Sequence, residues 1–144
     1  MEVRIGTSGW NYPPGADTWD GIFYPARGQG KRPSGFDELS FYAEHFDTVE
    51  VNSTFYRPPE ARITRRWVER TPDHFRFSLK LYQQFTHPEM FQVSTGAGRW
   101  SVTPDDVDRF LTAADPIATS GKLGVLLAQF PPSFKQDTQS LAYL

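Results

Sequence analysis

Apolar and polar residues alternate through the stretch Asp47-Thr48-Val49-Glu50-Val51-Asn52-Ser53-Thr54-Phe55-Tyr56. Val49 and Val51 fall on one parity, with Thr48, Glu50 and Asn52 on the other, and successive side chains of a strand point to opposite faces. Helix-like runs precede and follow this strand, so it reads as a parallel strand in a βαβ series. Such strands are ordinarily buried on both faces and nearly continuous in apolar residues. Glu50 breaks that pattern. A closed barrel accommodates it, because the outer parity packs on helices while the inner parity tolerates polar groups near the mouth.

The rest of the chain repeats the unit. A first strand is expected over Val3 to Gly6. It is followed by a Gly- and Pro-rich stretch to about Pro33 that carries Trp10, Tyr12, Trp19, Phe23 and Tyr24. Irregular stretches beyond about 12 to 15 residues are usually functional, and five large aromatics predict an ordered loop on the active face. Phe36, Leu39, Tyr42, Ala43 and Phe46 recur at helical spacing, with Ser34 and Asp37 as a capping box. Pro59 begins a second helix to about Arg70, with Ile63 and Trp67 as its inner stripe. Arg57, Arg62, Arg65, Arg66 and Arg70 lie among Glu60 and Glu69 and read as a solvated outer face. The third strand, Phe75 to Lys80, turns Phe75, Phe77 and Leu79 outward and Arg76, Ser78 and Lys80 the other way.

Residues 81 to about 102 read as a second long loop, containing His87, Met90 and Trp100. Thr103-Pro104-Asp105-Asp106 then starts a helix, with Thr as N-cap and Pro at the first position, and Val107, Phe110, Leu111 and Ala114 carry its stripe. A fourth strand is expected over Leu123 to Gln129, and Asp137 or Thr138 caps a last helix before Leu144. The fold class is therefore α/β, four βα units with parallel strands, as in half of a TIM-type barrel. The expectation is one domain over residues 1–144, the N-terminal half of a barrel that spans roughly 250 residues when whole. Two open strand edges would then favour self-association or pairing with a C-terminal half.

At 144 residues and a net charge of -2, the chain has room for one core and no global positive field for nucleic acid or membrane surfaces. Zero cysteines exclude disulfides, thiolate zinc sites and a cysteine nucleophile. With no apolar signal core after Met1 and no run near the roughly 20 residues of a membrane span, a cytoplasmic location is expected.

The turns from helix to strand are short, whereas most turns from strand to helix are long or aromatic, so the carboxyl ends of the strands form the functional mouth. Ser8, Trp10, Asn52, Thr54, Lys80 and Gln129 lie at those ends, and Tyr56 and His87 follow closely. The segments Ile5-Gly6-Thr7-Ser8-Gly9-Trp10, Phe23-Tyr24-Pro25, Thr48-Val49-Glu50-Val51-Asn52-Ser53-Thr54-Phe55-Tyr56, Phe75-x-Phe77-x-x-Lys80, Thr86-His87 and Gln129-Phe130-Pro131-Pro132-Ser133-Phe134 resemble the YecE-like proteins, domain-of-unknown-function family 72. The resemblance runs along nearly the whole chain. It implies a TIM-type barrel and carries no established activity.

Two readings of Glu50 stand: a general acid or base, or a structural ion pair with Arg4, Arg76 or Lys80. Lys80 is a candidate catalytic amine or anion anchor. Glu50 with His87 makes at most two metal ligands, so no metal site is expected within this stretch. No phosphate loop, dinucleotide fingerprint or nucleophile elbow is present, and the cofactor is left open. The leading reading is an enzyme acting on a small polar, sugar-like ligand, with Trp10 and Tyr12 as stacking walls and Glu50, Asn52, Lys80 and Gln129 as polar contacts. The alternatives are a metal-dependent phosphodiesterase barrel and a non-catalytic binding or assembly module.

Overall fold

A computed structural model describes residues 2–12, 19–27, 32–87 and 102–144. Its elements run β1 (Gly6–Ser8), α1 (Glu38–Ala43), β2 (Thr48–Val51), α2 (Ser53–Tyr56), α3 (Ala61–Glu69), β3 (Arg76–Lys80), α4 (Gln83–Thr86), α5 (Pro104–Thr119), β4 (Leu123–Leu127) and α6 (Thr138–Tyr143). All pairings are parallel and the strand order is β1-β2-β3-β4. Met90 and Trp100 lie outside the described residues.

The alternation in β2 and β3 separates the two faces of the sheet. Val49, Val51, Phe77 and Leu79 are buried against Leu39, Tyr42 and Ala43 of α1, Trp67 of α3, and Phe110, Ala114 and Ile117 of α5. Each large side chain so buried contributes about 1.5–3 kcal/mol. Thr48, Glu50, Arg76, Ser78 and Lys80 form the opposite parity and are only half-buried. The helical layer thus packs on the apolar parity, and the polar parity is the concave side of a half-barrel-like sheet.

The first strand lies further along the chain than the alternation of Val3 and Ile5 predicts. Those two residues are exposed, at 68% and 65%, and β1 is Gly6–Ser8. Tyr42 decides this from α1: its hydroxyl accepts from the Thr7 N–H at 2.8 Å and donates to the Thr48 carbonyl at 3.0 Å. Buried and doubly bonded, Tyr42 holds Thr7 opposite Val49. Helix α1 starts after Asp37, not Ser34, because the Asp37 carboxylate accepts from the Ser40 N–H at 2.8 Å and binds Arg70 at 2.6 Å. Helices α2 and α4 escape a periodicity argument because four residues make barely one turn.

The start of α5 has Thr103 as N-cap and Pro104 in the first turn, as expected, and Asp106 completes a capping box with reciprocal bonds to Thr103. Its stripe differs. Phe110, Ala113, Ala114 and Ile117 are buried, in the i, i+3, i+4, i+7 pattern, while Val107 and Leu111 are 41% and 55% exposed. Packing on α3 selects this face over the more apolar one. The strand richest in apolar residues is the exposed edge β4, where Val125 is 61% and Leu126 47% exposed. It is also shorter than expected, ending at Leu127.

Asp37 and Asp106 are expected to weaken this fold in acid. Burial alone would raise both pKa values, but the helix-start N–H bonds and the facing Arg70 or Thr103 outweigh it and hold both below the ordinary aspartate value. A carboxylate with a depressed folded pKa adds stability that is present above its unfolded pKa and disappears as pH falls through the folded one. The unfolding temperature is therefore expected to drop as the pH is lowered from about 4. Asp37→Asn should flatten that acid limb when melting is followed by circular dichroism, and an unchanged slope would refute the assignment.

Candidate functional site

Parallel registry places Glu50 between Ser8 of β1 and Ser78 of β3, in one row across the polar parity. Past Val51 the backbone turns into α2 at Asn52, which has helical dihedrals (φ -75°, ψ -25°). There the Asn52 side-chain amide donates to the Ser8 hydroxyl. The Gly9 N–H donates to the Glu50 carbonyl at 2.9 Å, so the ends of β1 and β2 are tied by backbone and side chain alike. At the ends of these strands opens a cavity of about 480 Å³, lined by Ser8, Trp10, Tyr12, Val51, Asn52 and Trp67 among others; Glu50 and Lys80 are not among the residues that line it. A cavity of this size suits a small ligand.

Glu50 makes no ion pair among the described residues, and the three cations on its parity are engaged elsewhere. Arg4 pairs with Glu2 at 2.5 Å and donates to the His74 carbonyl at 2.6 Å. Arg76 donates to the carbonyls of Asp73 and Phe75 at 2.8 and 3.0 Å. The Lys80 ammonium sits 4.7 Å from the centre of the Phe55 ring, a cation–π contact.

The aromatic wall is braced from behind. Trp10 meets Trp67 edge-on at 5.3 Å, and its carbonyl accepts from the Tyr24 hydroxyl at 2.5 Å. Tyr12 leans on Trp19 at 4.7 Å and donates its hydroxyl to the Ser8 carbonyl. Burial raises the Tyr12 phenol pKa, so it stays neutral and a donor. Trp67 was legible only as part of a helix stripe; its role in lining the cavity needs β1 and α3 brought together.

The other candidate residues divide. Thr54 is buried, its hydroxyl shared between the Val51 carbonyl at 2.8 Å and the Lys80 carbonyl at 2.6 Å, so it joins strand ends. His87 packs edge-on against Phe55 at 5.0 Å, and its Nδ1 lies 2.9 Å from the Thr86 hydroxyl. Burial and then the Lys80 charge lower its pKa, which keeps the imidazole neutral near pH 7. Lys80, Phe55 and His87 thus form one group at the end of β3. Tyr56 lines a different cleft, with Arg57 and Tyr82. Gln129 is exposed beyond the end of β4. Among the described residues, no three His, Asp or Glu side chains are grouped to hold a metal ion.

A one-sided parallel βα sheet with polar strand ends defines a half-barrel-like α/β protein. The chain belongs to the family described as "Protein of unknown function DUF72", which matches residues 4–144. It is 30% identical over 142 residues to the UPF0759 protein YunF of Bacillus subtilis, covering 99% of this chain and 44% of YunF. It is 33% identical over 100 residues to the UPF0759 protein YecE of Escherichia coli K12, covering 69% of this chain and 33% of YecE. The chain therefore spans less than half the length of either relative. Among solved structures, it is similar to a DUF72 family protein of Thermotoga maritima, with a TM-score of 0.66 at 27% identity over 99% of this chain and 50% of that one. A DUF72 family protein of Enterococcus faecalis gives a TM-score of 0.64 at 27% identity, over 78% of this chain and 38% of that one. No described helix is long and apolar enough to cross a membrane.

Proposed function

We propose that the mouth of the strands binds a small polar, sugar-like molecule and that Glu50 moves a proton to or from it. The supporting observation is the position of Glu50: half-buried, between two serines, with no cation taking up its charge among the described residues. In the strand register Glu50 pairs with Ser8, which lines the cavity, so a ligand that reaches past Ser8 onto the polar parity meets a carboxylate able to act as general acid or base. Trp10 and Tyr12 supply flat surfaces for a sugar ring, and Ser8 and Asn52 supply hydroxyl and amide groups for its hydroxyls. Lys80, on the same parity, contributes positive charge from its place against the Phe55 ring. Hydrolysis of a glycosidic bond requires a second carboxylate across the mouth, and the ends of these four strands do not supply one. The reading is therefore proton transfer on the bound molecule, in the cytoplasm.

The test is titration with D-glucose, D-galactose and D-xylose followed by NMR, with deuterium incorporation from heavy water at carbon 2, whose proton next to the open-chain aldehyde leaves only to a base, as the readout of proton transfer. Ser8, Trp10 and Asn52 resonances are expected to shift with at least one sugar. Glu50→Gln should lower the exchange rate about 100-fold or more while leaving affinity nearly unchanged. Silence of those resonances with all three sugars defeats the ligand assignment, and undiminished exchange in Glu50→Gln defeats the role of the carboxylate.

A further inference from the structure

The described residues hold a second, larger concavity, of about 720 Å³, between the α2–α3 connection and α5. It is lined by Tyr56, Arg57, Pro59, Glu60, Tyr82 and Arg109 among others. None of these belongs to the cavity at the ends of β1 and β2. The arginines of this region, taken together in the sequence as one solvated face, are sorted by the fold. Arg62 binds Glu60 with bonds of 2.7 and 3.3 Å, and Arg70 binds Asp37 at 2.6 Å. Arg57 is left facing the cleft without an ion pair among the described residues.

The acidic groups near the cleft each hold an arginine. Glu60, the only acid lining it among the described residues, is held by Arg62, and the Arg57 charge further lowers its pKa. Asp106 pairs with Arg109 at 3.8 Å through Oδ1, while its Oδ2 accepts from the Thr103 backbone and hydroxyl at 3.0 and 2.6 Å and from Gln84 at 2.9 Å. Two guanidinium groups therefore border one cleft in a chain whose net charge is -2, facing one cleft-lining carboxylate, Glu60, that already holds a third arginine. Guanidinium forks match phosphate oxygens in pairs, and two such forks suit a dianion. The site is also stiff. Arg57 has extended backbone (φ -160°, ψ 124°) and precedes the buried Pro58 and then Pro59, whose rings restrict the chain. Tyr56 is 70% exposed and edge-on to Phe55 at 5.2 Å, and Tyr82 is edge-on to Phe85 at 5.8 Å. Both rings are thereby held in place beside the guanidinium groups, and each offers a flat apolar surface.

We propose that this cleft is a binding site for a phosphate monoester carried on a flat, ring-containing body, with Arg57 and Arg109 on the phosphate and Tyr56 and Tyr82 against the ring. Calorimetric titration of the chain with AMP, adenosine and inorganic phosphate tests it. AMP is expected to bind more tightly than either of the other two, and more weakly as salt is raised. Arg57→Gln and Arg109→Gln should each weaken AMP about tenfold or more, the loss expected for one charge-assisted bidentate contact. Both arginines lie on the surface, so circular dichroism should show both variants folded. Glu50→Gln should leave AMP binding unchanged, which separates this site from the strand mouth. Equal affinity for adenosine and AMP, or AMP binding indifferent to both arginine substitutions, overturns the phosphate role. Equal affinity for phosphate and AMP overturns the contribution of the rings.

Discussion

Gly6→Ala is expected to displace β1 from the sheet and to disable the strand mouth with it. A methyl group at Gly6 would lie 1.9 Å from the Thr48 carbonyl oxygen and 2.6 Å from its carbon. Those are backbone atoms, so no rotamer change relieves the overlap, and the strands must part. The cost should reach the upper end of the range for overpacking, about 3 kcal/mol. The Gly9 N–H bond to Glu50 and the Asn52 bond to Ser8 both lie just beyond this contact. Binding at the mouth should therefore fall further than stability alone accounts for. Gly35→Ala is the control. Gly35 has φ of +75° with nothing within 4 Å of the added methyl, so only the backbone conformational penalty applies, about 1 kcal/mol. Equal melting temperatures for the two variants would show that the close approach of β1 and β2 does not constrain the fold.

Lys122→Met should cost about as much by a different route. Lys122 is only 4% exposed, and it forms no ion pair among the described residues. Its ammonium donates to the Val68 carbonyl at 2.8 Å and the Thr71 carbonyl at 2.6 Å, where α3 ends and the chain turns toward β3. Burial lowers its pKa, opposed in part by Asp73. A cation at a helix carboxyl end is favoured by the helix dipole and satisfies carbonyls that the helix leaves open. Methionine retains the bulk of the stem but leaves the Thr71 carbonyl buried and unpaired. Val68 is less affected, because its carbonyl also accepts from Thr71. A charged hydrogen bond lost at a buried acceptor predicts destabilisation of about 3 kcal/mol, or a melting temperature lower by roughly 6–12 °C. Lys122→Arg should recover part of the loss. An unchanged melting temperature in Lys122→Met would mean that the two carbonyls find other partners.

The sequence made some of this legible for local reasons. The parity of Val49, Glu50 and Val51 and of Phe77, Ser78 and Leu79 declares which side chains share a face, since a strand alternates whatever surrounds it. The Thr103 and Asp106 box likewise depends only on residues three apart. Val3 and Ile5 alternate just as well, however, and that alternation misled because a short edge strand is positioned by its partners. Lys122 carried no signal at all, since its acceptors lie at positions 68 and 71.

What the sequence by itself determined was the repeating βα order, the inner and outer parities of β2 and β3, and the set of polar residues at strand ends. Each follows from interactions between neighbours along the chain. Only the tertiary structure decided that Ser8, Glu50 and Ser78 share a row and that the cations on that parity are engaged away from Glu50. It also placed Tyr56 in a cleft with Arg57, Tyr82 and Arg109, apart from the strand mouth. The physical reason is that strand register, ion-pair choice and cavity walls depend on groups far apart in the chain that meet only after packing. Tyr42 reaches from α1 to Thr7 and Thr48, and that one hydroxyl ties β1 to β2 where Ser8 comes opposite Glu50.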